Sequence, residues 1–426
     1  MSCPADTWRR AGSGGRWVGR AVALAAMGLA ILAACGHPAG APVPAAAASP
    51  VTQTQPAWKV RAPGGQEPID PGTTQLALLD AQECSLCHGD EHAEWATSRH
   101  GLAWTNGIFQ REFSAQPRAW CINCHAPLTA QQAGLVQGDV TLANQGVSCA
   151  ACHVRAGALV SRRRQAGSPH QTVEDPTFGS PQMCADCHQF TFPVLRPKDG
   201  VAVRMSEHPM QSTVAEFLAG PRAEAPRGCL TCHGSRHGHA FRGGHDLGML
   251  QRAIVATWCR KDADVIVEVA NVGAGHRVPT GDIHRHLLAR VWRSTAPEST
   301  FEAFFGRRFR PASDGGKETI WDSSLSPGQR RRFTVPVTSL DASEAPAAPA
   351  FEDPALSILA AAPPAPEEPI NLEVTYVYTV DEVPRAGRSP GEPVTAQILH
   401  QRLLFSELPA CALPPVAGAA PAPPVR

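Results

Sequence analysis

The feature that most restricts this chain is one short spacing used five times. Cysteine pairs separated by two residues, each followed at once by histidine, occur as CSLCH at 84, CINCH at 121, CAACH at 149, CADCH at 184 and CLTCH at 229. Two cysteines so spaced lie about one helical turn apart, on one face. Both can then form thioethers with the two vinyl groups of one porphyrin. The adjacent histidine falls beneath the macrocycle and reaches the iron, and C-x-x-C-H is the attachment motif of c-type haem. Zinc is the competing reading of cysteine pairs. It needs two half-sites per ion, which leaves a remainder from five, and it gives no reason for a histidine after every pair. The reading is therefore five covalently attached haems c. Cys84, Cys87, Cys121, Cys124, Cys149, Cys152, Cys184, Cys187, Cys229 and Cys232 attach them. His88, His125, His153, His188 and His233 are the proximal iron ligands.

Five haems between Cys84 and His245 leave only about thirty residues for each, too few for an ordinary apolar core. The porphyrins must be the core, stacked closely and wrapped by short helices and loops, and such a region should not fold without its cofactor. Close haems pass electrons by tunnelling, so the arrangement suits electron transfer. Lysine plus arginine equals aspartate plus glutamate at 38 each, so no basic field points to nucleic acid.

The N-terminus speaks to the compartment. Arg9, Arg10, Arg16 and Arg20 precede an apolar run from Ala21 to Cys35 that is too short to span a bilayer comfortably and reads as an export signal. It ends in Leu32-Ala33-Ala34-Cys35, which resembles the lipobox of bacterial lipoproteins, with Cys35 as the lipidated residue. Gly36 follows, and by that resemblance favours the outer membrane, facing periplasm or cell surface. Residues 1–34 are thus expected to be a lipoprotein signal peptide and 35–75 a Pro/Ala-rich tether. Haem attachment outside the cytoplasm agrees with export. Of the fourteen cysteines, ten hold haem, Cys3 leaves with the signal and Cys35 takes lipid. Cys259 and Cys411 remain, in an oxidising compartment, and are expected to form a disulfide.

The segment CSLCHGDEHAEWATSRHGLAW resembles the first haem site of multihaem cytochromes related to the tetrahaem carrier that accepts electrons from hydroxylamine oxidation. In that family the histidine of a W-x-x-S-x-H stretch ligates a haem on its distal side; here the stretch is Trp95, Ser98 and His100. GVSCAACHV, CADCHQF and the region around CLTCHGSRHGHAFRGGHD look like later sites of related proteins. The resemblance spans roughly residues 80 to 250. It implies a mostly α or irregular haem domain, placed at 76–250, although the motif number is five rather than four.

An electron carrier needs a sixth iron ligand to keep small molecules away. The candidates are His100, His170, His239, His245 and His276. His170 lies in a loop that resembles distal-ligand loops of multihaem relatives. His239 and His245 bracket Phe241 and a Gly-Gly turn that lets backbone pass close to a haem face. His208 is the reserve, and His92, His237, His284, His286 and His400 read as surface or supporting residues.

After Leu250 the composition shifts to short β-branched and aromatic runs bounded by Pro, Gly and Asp. An immunoglobulin-like all-β sandwich is expected over 251–411, with a Pro/Ala-rich loop from Ala342 to Pro369 and a disordered tail over 412–426. In the loop NVGAGHRVPTG, Gly273 and Gly275 permit a tight path and Pro279 stiffens the return. Similar loops occur in β-domains appended to multihaem cytochromes, and His276 is expected to reach a haem across the domain boundary. Two functions compete. One is a membrane-tethered carrier with five bis-histidine haems, exchanging electrons with other cytochromes or an outer-membrane conduit. The other is a reductase of a small nitrogen or sulfur compound with one open haem. No C-x-x-C-K motif favours the second.

Overall fold

The computed structural model describes residues 67–163, 167–170, 172–196, 202–341, 367–378 and 395–412. The expected signal peptide, Cys35, and most of the tether, the Pro/Ala-rich loop and the tail lie outside the described residues. Those described fall in a single unit that runs from Pro56 to Arg426.

Up to residue 253 the described chain is dominated by short helices, and the motifs account for five of the eleven α-helices. Helices Ala119–His125, Cys149–His153, Pro181–His188 and Leu230–His233 each end on their motif histidine. Cys84 lies in Ala81–Ser85, where the Asp80 carboxylate caps the first turn by accepting the Gln82 amide at 2.8 Å. Pro181 opens its helix at a position where no amide donor is needed. The side chains that normally cement such helices are scarce. The apolar clusters among the described residues here are Ile69, Leu79, Leu128, Ala150, Ala151 and Val154, and then Trp104, Ala126 and Ala143.

This region also holds a hairpin that the motif pattern did not suggest. Gln189–Leu195 pairs antiparallel with Ala202–Ser212. It touches a second hairpin, Arg307–Pro311 with Lys317–Asp322. The Asp314 carbonyl accepts from Arg204, and the Asp314 carboxylate accepts the Glu207 amide at 3.3 Å. Phe192 meets Phe309 edge to face at 5.3 Å.

Helix Leu247–Ala253 crosses the boundary expected at 250, and the strands begin at Ile254. One antiparallel sheet orders Thr395–Leu403, Ile370–Val377, His286–Arg293 and Ala296–Phe305. A second orders Arg330–Pro336, Asp264–Asn271 and Ile254–Lys261. Val265, Val267 and Val269 of one sheet share a core with Leu287, Ala289, Val291, Phe305, Leu372 and Val374 of the other. The alternation in DVIVEVAN places the three valines on one face, and fully burying each contributes about 1.5–3 kcal/mol. Glu268 lies on the opposite face, buried, and is held by Arg330 at 2.6 Å and Arg332 at 2.9 Å. Cys259 and Cys411 are bonded, their Cα atoms 5.1 Å apart. That bond fixes the segment whose Pro409 carbonyl accepts the Arg260 amide at 2.9 Å.

Candidate haem-binding sites

The motif histidines are not scattered; most of them face a second imidazole. His88 and His170 have ring centroids 6.1 Å apart, His188 and His100 6.2 Å, His153 and His239 6.2 Å, and His233 and His276 6.0 Å. Two imidazoles bound to one metal, each at about 2 Å from nitrogen with ~1 Å more to the ring centre, would have centroids about 6 Å apart. All four spacings match that demand. The donors come in twos: among the described residues no three His, Cys, Asp or Glu side chains converge as a protein-only metal site requires. A porphyrin already supplies four nitrogens and needs two axial partners, so the donor set fits haem and not zinc. The ten motif cysteines are unbridged, as thioether attachment requires.

Ring orientation points the same way. The Nδ1 atoms of His125, His153, His239 and His276 lie 2.7, 3.1, 2.6 and 2.7 Å from the carbonyl oxygens of Ala103, Val160, His237 and Arg277, and that of His233 touches the Arg242 carbonyl. A carbonyl only accepts, so each Nδ1 carries the proton and leaves an Nε2 lone pair for iron. Charge agrees as well. Burial, reinforced by His188 and His233, pushes His100 down to about 3. Burial first, helped by nearby imidazoles and arginine and opposed at His153 by the Val160 carbonyl, pushes His153 and His188 to about 4. These rings are neutral at physiological pH, which is the ligating form.

Three of the expected distal histidines, His100, His239 and His276, have local support. Trp95 Nε1 donates to the Val147 carbonyl at 2.8 Å and Ser98 Oγ accepts the Gly101 amide at 3.1 Å, which fixes the turn that carries His100. Glu94 accepts from Ser235 Oγ and from the amides of His239 and His237 at 3.1 and 3.4 Å. Burial works to raise Glu94, but these bonds outweigh it and hold the carboxyl below its ordinary value. The His276 loop is clamped from both sides. The Glu216 carboxylate accepts from Thr280 Oγ1 at 2.8 Å and the Arg277 amide at 3.3 Å, and Asn271 Nδ2 donates to the His276 carbonyl at 2.9 Å. A Cβ on Gly273 would lie 2.1 Å from the Arg252 carbonyl oxygen, so only glycine allows this approach.

His125 is the exception. Its ring stacks on Phe109 at 3.7 Å, and among the described residues it faces no imidazole at the 6 Å spacing. His245, the remaining distal candidate, faces no motif histidine at that spacing among the described residues. The His245 ring stacks on Tyr378 at 4.0 Å and its Nδ1 is 2.6 Å from Arg99 Nη2. Of the other histidines, His286 is buried against Phe304, and His92 and His237 contact Gln82 and Asp90.

The sites also adjoin one another. The thiols of Cys84 and Cys149 hydrogen-bond, as do those of Cys184 and Cys229. Cys152 lies within electrostatic reach of Cys187, and His188 within reach of His125. The first motif thus neighbours the third and the fourth the fifth, while the third lies near the fourth and the second near the fourth.

Known proteins point to the same class. A family profile described as cytochrome c554 and c-prime matches residues 83–154, which carry the first three motifs. A penta-heme cytochrome c552 from Thermochromatium tepidum has a similar fold. Its TM-score is 0.51 at 17% identity, over 79% of this chain and 100% of that one. A match of that extent exceeds residues 67–253, so the likeness continues into the strands. No curated protein sequence matches the chain. With the five motifs, these findings support a multihaem c-type cytochrome carrying covalently bound haem, in a helical region joined to a strand-rich part with several antiparallel sheets.

Proposed function

We propose that this protein transfers electrons through five haems c, four of them with two axial imidazoles. The observation that carries the reading is the set of four histidine pairs at 6.0 to 6.2 Å. The pairs are His88 with His170, His188 with His100, His153 with His239 and His233 with His276. The adjoining motifs support a path that runs first, third, fourth, fifth, with the second site branching from the fourth. The strand-rich part, read as an immunoglobulin-like sandwich, then closes the path by supplying His276. Redox partners are other cytochromes or an outer-membrane conduit, and a lipid on Cys35 tethers the protein to the outer membrane.

Among the described residues His125 faces no second imidazole, which favours a second role beside the first: the haem at the second motif keeps one face open, as in the reductase alternative. A pyridine haemochrome assay and electron paramagnetic resonance of the oxidised holo-protein test the reading. Five haems per chain with four low-spin signals support it. Fewer haems, or fewer than four low-spin centres, overturn it.

A further inference from the structure

One group of side chains, drawn from both the haem region and the strands, stands outside the four histidine pairs. The chain contains only two tyrosines, Tyr376 and Tyr378, and both are here, buried, with ring centroids 5.4 Å apart. His245 stacks on Tyr378, and its Nδ1 lies 2.6 Å from Arg99 Nη2. A guanidinium has donors and no acceptor, so His245 accepts from Arg99. Arg285 donates to the Tyr376 hydroxyl, and its Nε is buried with no hydrogen-bond partner among the described residues. Gly244 allows the close fit: a Cβ there would stand 3.2 Å from both Arg285 Nη1 and the Tyr376 hydroxyl. His245 and Tyr378 each lie within electrostatic reach of both guanidiniums, so Arg99 and Arg285 converge on one place.

Two observations tie this cluster to the fourth motif. Arg285 lies within electrostatic reach of His188, and Arg99 directly precedes His100, the imidazole that faces His188. On the reading of four bis-histidine haems, imidazole takes both faces of the haem held there, so what the cluster can reach is its edge. A haem c carries its vinyl groups toward one edge and two propionate carboxylates toward the opposite one. At this site the vinyls belong to Cys184 and Cys187, whose neighbours Cys229 and Cys152 lie in the fifth and third motifs. The remaining edge carries the carboxylates. A carboxylate drawn out of water needs a partner, and charge-assisted hydrogen bonds from arginine are the strongest that side chains offer. Asp282 is the acidic group beside Arg285; its carbonyl accepts the Arg285 amide at 3.3 Å and its carboxylate the His284 amide at 2.8 Å. Two guanidiniums stand against that one carboxylate, so the cluster keeps positive charge for a further anion.

We propose that Arg285, Tyr376 and Arg99 bind the propionates of the haem between His188 and His100, and thereby raise its reduction potential. This rests on the reading of His188 and His100 as one axial pair. The ferric iron of such a haem carries a positive charge that the ferrous iron lacks. Free propionates stabilise that charge; a guanidinium bonded to them cancels the effect and favours the reduced state. A buried guanidinium nitrogen without a partner is costly unless some acceptor fills the place. Tyr376 accepts from Arg285 through its oxygen, so its own proton is left to give to the same carboxylate. The consequence is directional. The second, third and fifth motifs all lie near the fourth, so its haem stands where the path branches, and a raised potential there collects electrons. Arg285 and Tyr376 belong to the strand region, which in this way tunes a haem that it does not ligate; both are positioning residues.

The test is a redox titration of the holo-protein, followed by visible absorption and electron paramagnetic resonance. Arg285→Met should lower one midpoint potential by at least about tenfold in the reduction equilibrium, about 59 mV for one electron, and leave the other midpoints and every spin state in place. Arg285→Lys, which keeps the charge, should recover part of that shift. Tyr376→Phe removes only a hydroxyl and should lower the same midpoint by less; it decides the question if Arg285→Met does not assemble. His100→Ala identifies the haem, because it frees one axial position of the haem at His188. The shifted haem should be low-spin with His100 present and high-spin once His100→Ala is added. The proposal is overturned if Arg285→Met and Tyr376→Phe leave every midpoint unchanged. It is equally overturned if the shifted haem keeps its spin state when His100→Ala is added, since the guanidinium would then serve another haem. Failure of the axial-pair reading looks different: His100→Ala alone would leave the number of low-spin haems unchanged, whatever the Arg285 variants do.

Discussion

The haem region and the strand region solve the same problem with different materials. From Ile254 onward, interdigitated valine, leucine, isoleucine and phenylalanine from two sheets build one apolar core. Before it, comparable stretches of chain bury only small clusters, and short helices end where histidines point at one another across a gap. The strand region is held by side chains, whereas the haem region is held by a cofactor that its side chains grip. Small domains without enough apolar surface usually need such a staple. The dependence on cofactor should therefore differ sharply between two parts of one chain.

The strongest way to break that comparison is to withhold haem. Chain produced without haem attachment should lose protection from proteolysis throughout residues 84–245, while a fragment containing the strands from Ile254 to Leu403 persists. Equal protection of both parts in the haem-free chain would refute the contrast. Next in size is the disulfide. The Cys259–Cys411 bond closes a separation of 152 residues, and in the chain-entropy model a loop of that length constrains the unfolded state by about 5 kcal/mol. Cys259→Ser with Cys411→Ser should lower the unfolding midpoint of the strand region strongly, with the haem spectra of the folded protein unchanged.

His276→Ala sharpens the comparison because it removes the axial contact proposed for the strand region. One haem should become high-spin while the low-spin signals of the pairs at His88, His188 and His153 persist. A spectrum identical to that of the unmodified protein would show that His276 only shapes its loop. The smallest effect concerns Glu268. Burial works to raise its pKa, but hydrogen bonds and charge from Arg330 and Arg332 outweigh it and hold it below the ordinary value. A carboxyl lowered on folding stabilises the fold above its unfolded pKa of about 4.3, and that contribution disappears as pH falls through the lower folded value. Glu268→Gln should thus cost about 1–2 kcal/mol at neutral pH, a modest figure because Arg330 is largely in solvent, and nearly nothing in acid. Thermal unfolding at the two pH values measures the difference.

Much of this was legible from residues alone, for a chemical reason. Haem attachment fixes its own spacing, so Cys84 to His88 and the four later motifs declare themselves without any fold. The loop of His276 was readable because Gly273, Gly275 and Pro279 leave few backbone paths. Which imidazole meets which was not readable. His100 follows the first motif yet faces His188 of the fourth, a pairing set by three-dimensional packing and by nothing local. The contact of His245 with Arg99, 146 residues away, was equally unreadable, and a histidine's tautomer is decided by its partner. The hairpin Gln189–Leu195 with Ala202–Ser212 was hidden by its place between motifs, although Phe190, Phe192 and Val194 alternate as a strand should. The carbonyls of Ala103, Val160, Arg242, His237 and Arg277, which aim the ligating rings, leave no mark in a sequence because every residue has one.

The central claim is that side chains here are arranged around five haems, four gripped from both sides and one from a single side. Spin quantitation by electron paramagnetic resonance of the fully oxidised holo-protein, normalised to haem content, tests it most directly. The account expects four low-spin haems and one high-spin haem in every chain. Five low-spin haems would contradict the open site at His125, and fewer than four would contradict the pairs on which the whole arrangement rests.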